Sequence, residues 1–183
     1  VEPKSYTHSH IESVRFTGGT LSGQTLHFSP ELNALIGIRG SGKSSVLEVI
    51  RYALDIPFGE KSGDTKYKRK LVEFTLGSGG KVEIDAVDRY GQRYTVRRVI
   101  NEMNSEVLIG EKLQPGISIR ETVIHKPIYF GQKDLSSSGK GFEKDLVDKL
   151  LGAKLDGLRR SISVQKVKVG EAVDRLSKMD SVE

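Results

Sequence analysis

The stretch LNALIGIRGSGKSSVLEVIRYAL, Leu32 to Leu54, constrains this chain more than any other. A short apolar run ends in glycine, a loop follows with glycines at 37, 40 and 42, and Val46, Leu47, Ile50 and Leu54 then recur at helical spacings before Pro57. The pattern predicts a buried strand, a glycine loop and a helix that proline stops. Gly37 to Ser44 satisfies G-x-x-x-x-G-K-[ST] in the strand-to-helix context that the pattern requires. In such a loop the backbone N–H groups of Gly37, Ile38, Arg39, Gly40, Ser41 and Gly42 turn inward around phosphate oxygens, and the helix N-terminus adds a positive end. Lys43 then reaches the β- and γ-phosphates and is the catalytic candidate. The Ser44 hydroxyl ligates Mg²⁺, and Ser45 is counted with the nucleotide-contacting residues. The expected cofactors are ATP and Mg²⁺.

Around this element, composition excludes several classes. There is no cysteine, so neither a disulfide framework nor a thiolate zinc site is available. No apolar run approaches the roughly 20 residues needed to cross a bilayer, and VEPKSYTHSH lacks an apolar signal core. The expectation is a cytoplasmic protein without a membrane partner. The net charge of +5 comes from 29 basic against 24 acidic residues, a weak bias toward polyanions. Its densest cluster is KYKRK, Lys66 to Lys70, read as a lysine-rich loop that is either solvated or in contact with phosphate.

Along the chain, HIESVRFT alternates like a strand, GGTLSG supplies a turn, and QTLHFS completes a front hairpin. After the basic loop, LVEFTLG, KVEIDAVDR and RYTVRRVI read as three strands of an antiparallel meander, separated by SGG and YGQ. TVIHKPIYFGQ reads as one more strand, ending at Gly131 and Gln132. From Leu155 onward, Leu158, Ile162, Val169, Ala172, Leu176 and Met179 keep a heptad register that Gln165 interrupts, the mark of a coiled-coil arm cut short or of a single amphipathic helix. The expected division is a nucleotide-binding lobe over 1–141 and a helical segment over 142–183.

With those residues in place, LNALIGIRGSGKSSVLEVIRYAL resembles the start of the ABC-type ATPases grouped with structural-maintenance-of-chromosomes (SMC) proteins, RecF and RecN. That family runs from a front hairpin through the phosphate loop and a β-lobe to a glutamine loop, then into a coiled coil. Arg39 stands where the family usually carries Asn. With the opening HIESVRFTGG, this looks most like the AAA-like ATPase portion of bacterial proteins that fuse the module behind a PHP-type phosphoesterase domain. The resemblance implies an α/β fold: the N-terminal lobe of a P-loop ATPase head, with an antiparallel β-subdomain and a coiled-coil start. It also implies that Gln132, in YFGQKDL, contacts the Mg²⁺ or the attacking water.

Two look-alikes carry less weight. LSGQ, Leu21 to Gln24, is similar to the family's signature sequence but precedes the phosphate loop, and is read as a hairpin connection. HSH, His8 to His10, lacks the supporting acids of a metal pair and is read as two exposed histidines.

A Walker B segment, about four apolar residues followed by Asp and a catalytic Glu, occurs nowhere in the 183 residues. VEIDAVD alternates like a half-exposed strand and VLIGE lacks the aspartate. The expectation is therefore half of an ATPase head that binds ATP without appreciable hydrolysis by itself. The resemblance implies that the C-terminal half of the same protein brings the signature sequence and Walker B. It further implies an ATP-dependent homodimer in a setting of DNA repair, with nucleic acid as a compatible partner. The competing classes are a self-contained P-loop kinase, which needs an acid base and an arginine lid, and a nucleotide-binding structural coiled-coil protein.

Overall fold

Strict alternation builds the sheet. β1 (His10–Thr17) buries Val14 and Phe16 on one side and leaves Arg15 on the other. β2 (Thr25–His27), β3 (Lys81–Val87), β4 (Arg93–Val99), β5 (Glu106–Ile109) and β6 (Lys112–Leu113) join it in one antiparallel sheet of order β2-β1-β3-β4-β5-β6. The front hairpin and the meander are thus a single sheet, fused by the pairing of β1 with β3. This computed structural model describes residues 6–58, 64–129, 151, 157–173 and 175. The chain divides into two units, Val1–Ser136 and Ser137–Glu183.

Register decides which face is dry. Val14 lies opposite Ile84, Ile84 opposite Val96, and Val96 opposite Val107, while Phe16 faces Val82 and Ala86 faces Tyr94. Helices α1 (Lys43–Ala53) and α2 (Thr65–Leu76) pack on this layer through Val46, Val49, Ala53, Val72 and Leu76. Burying each such aliphatic side chain contributes about 1.5–3 kcal/mol before conformational entropy is subtracted. Where Gly80 leads into β3, a Cβ would overlap the Leu76 carbonyl, so glycine lets the sheet pass the end of α2.

The other face carries a charge ladder. Arg15, Glu83, Arg97 and Glu106 stand side by side across four strands, with Arg97 3.0 Å from Glu83 and 3.7 Å from Glu106. Asp85 accepts hydrogen bonds from Arg15, from Ser13 at 2.8 Å and from Thr95 at 2.8 Å. Partial burial pushes the Asp85 carboxyl up, but those hydrogen bonds and the Arg15 charge outweigh it and hold it below the usual carboxylate range.

Four expectations need correction. The run Leu32–Ile36 is extended but joins no ladder among the described residues, and Leu32 and Ile36 are 93% and 94% exposed. An apolar strand of this kind needs sheet neighbours on both edges, and no described residue provides them. KYKRK is not a loop but the first half of α2, and LVEFTLG continues that helix to its C-cap at Gly77. The period-two look of Val72, Phe74 and Leu76 is coincidental, because burial follows Lys68, Val72, Thr75 and Leu76, a helical spacing, while Phe74 is exposed. In TVIHKPIYFGQ, Thr122 and Val123 end a π-helical turn, Ile119–Val123, and bends follow with no strand assigned through Tyr129, while 130–132 lie outside the described residues.

In the second unit, residues 157–173 are helical, here α3. Its seam residues Leu158, Ile162 and Val169 are all exposed. Leu155, Leu176 and Met179 lie outside the described residues.

A carboxyl held low in the folded state stabilises it above the unfolded pKa of about 3.9, and that contribution disappears as pH falls through the lower folded value. Asp85→Asn is therefore expected to be less stable than the parent at pH 7, with a narrower gap at pH 3. Urea midpoints at the two pH values check this; a gap that stays constant contradicts it.

Candidate nucleotide-binding site

The phosphate-loop pattern has the backbone its sequence demands. Gly40 and Gly42 adopt φ of 84° and 86°, the left-handed region in which a Cβ is unfavourable. At Gly37 the constraint is space, since a Cβ would come 2.5 Å from Ser41 Oγ. These glycines fold the loop back on itself, closed by the Ser41 N–H on the Ile38 carbonyl at 3.3 Å.

Lys43 opens α1 and turns back over the loop. Its ammonium donates to the carbonyls of Gly37 at 2.6 Å and Ile38 at 2.7 Å, and to Ser41 Oγ at 3.1 Å. All three of its protons are engaged. The lysine thus pins the loop closed and stands at its centre. Gly42 caps α1 without any side-chain hydrogen bond, so the first-turn donors keep their need for an acceptor. Orphan amides at a helix start, a central ammonium and glycines that permit close approach together suit an anion with several oxygens. That donor set fits the phosphates of ATP. Ser44 is exposed, Ser45 half-buried, and Arg39 exposed without a hydrogen bond or ion pair among the described residues. Gln132 lies outside the described residues.

The inner side of α1 holds a polar network that helical spacing did not signal. Leu47, expected inside, is half-exposed, and Val49 takes its place in the core. Glu48 and Arg51, one turn apart, are both buried and paired at 2.8 Å. Arg51 also donates to the Ile56 carbonyl at 2.7 Å, and its guanidinium lies 3.8 Å from the Phe58 ring centroid. The Tyr129 hydroxyl donates to the second Glu48 oxygen. A carboxylate and a guanidinium three apart on a helix are ordinary surface pairs, so only their burial marks these out.

The basic cluster does not gather as one patch. Lys68 is buried, its ammonium 5.8 Å from the Phe58 ring and 5.4 Å from that of Tyr129. Lys66, Arg69 and Lys70 remain exposed on α2. Leu21 to Gln24 form the connection between β1 and β2, and His8 donates through Nε2 to the Pro30 carbonyl at 2.8 Å.

The family described as AAA domain matches residues 10–169. A DNA double-strand break repair Rad50 ATPase from Thermoplasma acidophilum is 29% identical over 119 residues, covering 60% of this chain and 12% of that protein. The chain thus spans about an eighth of the relative's length.

Two outcomes are expected. Lys43→Ala removes charge-assisted contacts worth about 1.5–3 kcal/mol, so ATP affinity measured by calorimetry falls on the order of 10- to 100-fold. Glu48→Ala strands the buried Arg51 charge, and the unfolding free energy drops by about 3–5 kcal/mol in a urea titration. An unchanged midpoint refutes the structural role given to the pair.

Proposed function

The chain belongs to the AAA domain family, and from that premise we propose that it is the ATP-binding N-terminal part of an ATPase head of the SMC and Rad50 type. The observation that carries this reading is the exposed apolar run at the mouth of the phosphate loop. Leu32, Ile36 and Ile38 are 93%, 94% and 83% exposed, beside a loop whose geometry is already complete. A segment this apolar is stable as a strand buried between neighbours, and the polypeptide that buries it is the C-terminal half of the same protein. The missing Walker B aspartate and catalytic glutamate belong to that half.

The residues present divide the work. The loop amides and Lys43 bind and orient the triphosphate, Lys43 exchanging carbonyl partners for phosphate oxygens. Ser44 presents its hydroxyl to Mg²⁺, with Gln132 as a second ligand. Bound Mg²⁺ neutralises charge between the terminal phosphates. The Glu48–Arg51–Tyr129 network holds the helix that carries Lys43 and Ser44 in register with the chain leading to Gln132. Two such heads close on ATP as a homodimer, each completing the other's site, and this cycle serves DNA repair.

The chain is expected to bind ATP with Mg²⁺ and to release phosphate negligibly until the C-terminal half is supplied in trans. A phosphate-release assay checks both conditions. Robust turnover by the chain alone, abolished by Lys43→Ala, would overturn the reading.

A further inference from the structure

Where β1 begins and β3 turns into β4, a cleft of about 530 Å³ is lined by Tyr6, His10, Phe28, Arg89, Tyr90 and Arg93. Its size is that of small-molecule pockets. None of these residues belongs to the phosphate loop.

One wall is a turn held rigid from beneath. Buried Asp88 accepts the N–H groups of Tyr90 at 2.8 Å and Gln92 at 2.9 Å, and the Gly91 N–H closes on the Asp88 carbonyl at 3.1 Å. Tyr94 donates to the other Asp88 oxygen at 3.4 Å; burial first, then the neighbouring carboxylate, raises its phenol above the usual value, so it stays a donor. This fixed turn holds Tyr90 out in solvent, 80% exposed, with the Arg89 guanidinium 4.9 Å from its ring centroid. The backbone of the turn is ordered in advance, which lowers the cost of binding there.

Tyr6, His10 and Phe28 also line the cleft. The rings of Tyr6, His8 and His10 meet edge to face with centroids 5.7–6.0 Å apart, and His8 is tied to the Pro30 carbonyl. Charge in the cleft is uneven. Arg93 pairs with Glu12 at 3.1 Å, whereas no carboxylate pairs with Arg89 among the described residues. Aromatic rings lining the cleft suit a planar ring, and a guanidinium that no described carboxylate neutralises suits an oxyanion attached to that ring. An acidic peptide satisfies the guanidinium but leaves the stacking faces without planar partners.

We propose that this cleft binds a nucleobase together with its phosphate, supplied either by a free nucleotide or by an unstacked residue of a single strand. The site is independent of the ATP reading, and its test is arranged so that the two fail separately. In the Lys43→Ala chain, which weakens the phosphate loop, dTMP is titrated by calorimetry and a fluorescein-labelled oligo-dT 12-mer by anisotropy. Tyr90→Ala and Arg89→Ala are introduced into the same background; both side chains are exposed, so folding is preserved. Each is expected to weaken binding about tenfold, with Arg89→Ala also lowering the salt slope by about one and Tyr90→Ala leaving it unchanged. Saturable dTMP binding assigns the free nucleotide, and oligomer binding without it assigns the strand. With Lys43 intact, ATP affinity stays the same in both variants. No binding of either probe, binding indifferent to both substitutions, or equal binding of the duplexed oligomer overturns the proposal.

Discussion

The buried ion pair of Glu48 and Arg51 is the constraint on which the rest of the first unit depends. Two charges removed from water are tolerable only when every remaining donor and acceptor is met. Here they are met from three directions: the Ile56 carbonyl after α1, the ring of Phe58, and the hydroxyl of Tyr129 from far along the chain. Each partner fixes a different stretch of backbone relative to the phosphate-loop helix. The network therefore acts as a register device, making one placement of α1 acceptable and its slipped alternatives costly.

On that fixed helix, the two ends of α1 serve different needs. Its apolar inner face, Val46, Val49 and Ala53, closes the core over β3 and β4, so the helix is anchored by packing. Its first turn is left without a side-chain cap, and Lys43 fills the loop in front of it. Anchoring at one end is what allows the other to remain unsatisfied. The first-turn donors are thereby carried on an anchored helix, which favours binding of an anion at its N-terminus.

The sheet has a similar division. Its dry face is covered, and its wet face is organised by charges of alternating sign from Arg15 through Glu83 and Arg97 to Glu106. Such pairs are weak singly in water. Their value lies in register, because a one-residue slip would bring these charges to the core side and the valines to solvent. Beside this sheet, the apolar run from Leu32 to Ile38 stands without strand neighbours among the described residues.

By itself, the sequence determined the phosphate loop, the helix after it and the strands β1, β3 and β4, because glycine spacing and apolar alternation are local properties that neighbouring residues decide. That no Walker B pattern occurs in the 183 residues is likewise legible from the sequence alone. Tertiary structure alone decided the rest. Val72, Phe74 and Leu76 alternate like a strand, yet Val72 and Leu76 enter the core from a helix, and packing against α1 outweighs a period-two pattern five residues long. Lys68 reads as a solvent-facing charge until the rings of Phe58 and Tyr129 are found beside it. Glu48 and Arg51 read as a surface pair until burial is known, and the cleft before Tyr90 joins residues from both ends of the sheet's sequence. In each case the deciding contact is between residues distant in the chain, and a pattern read along the chain carries no information about which distant group will arrive.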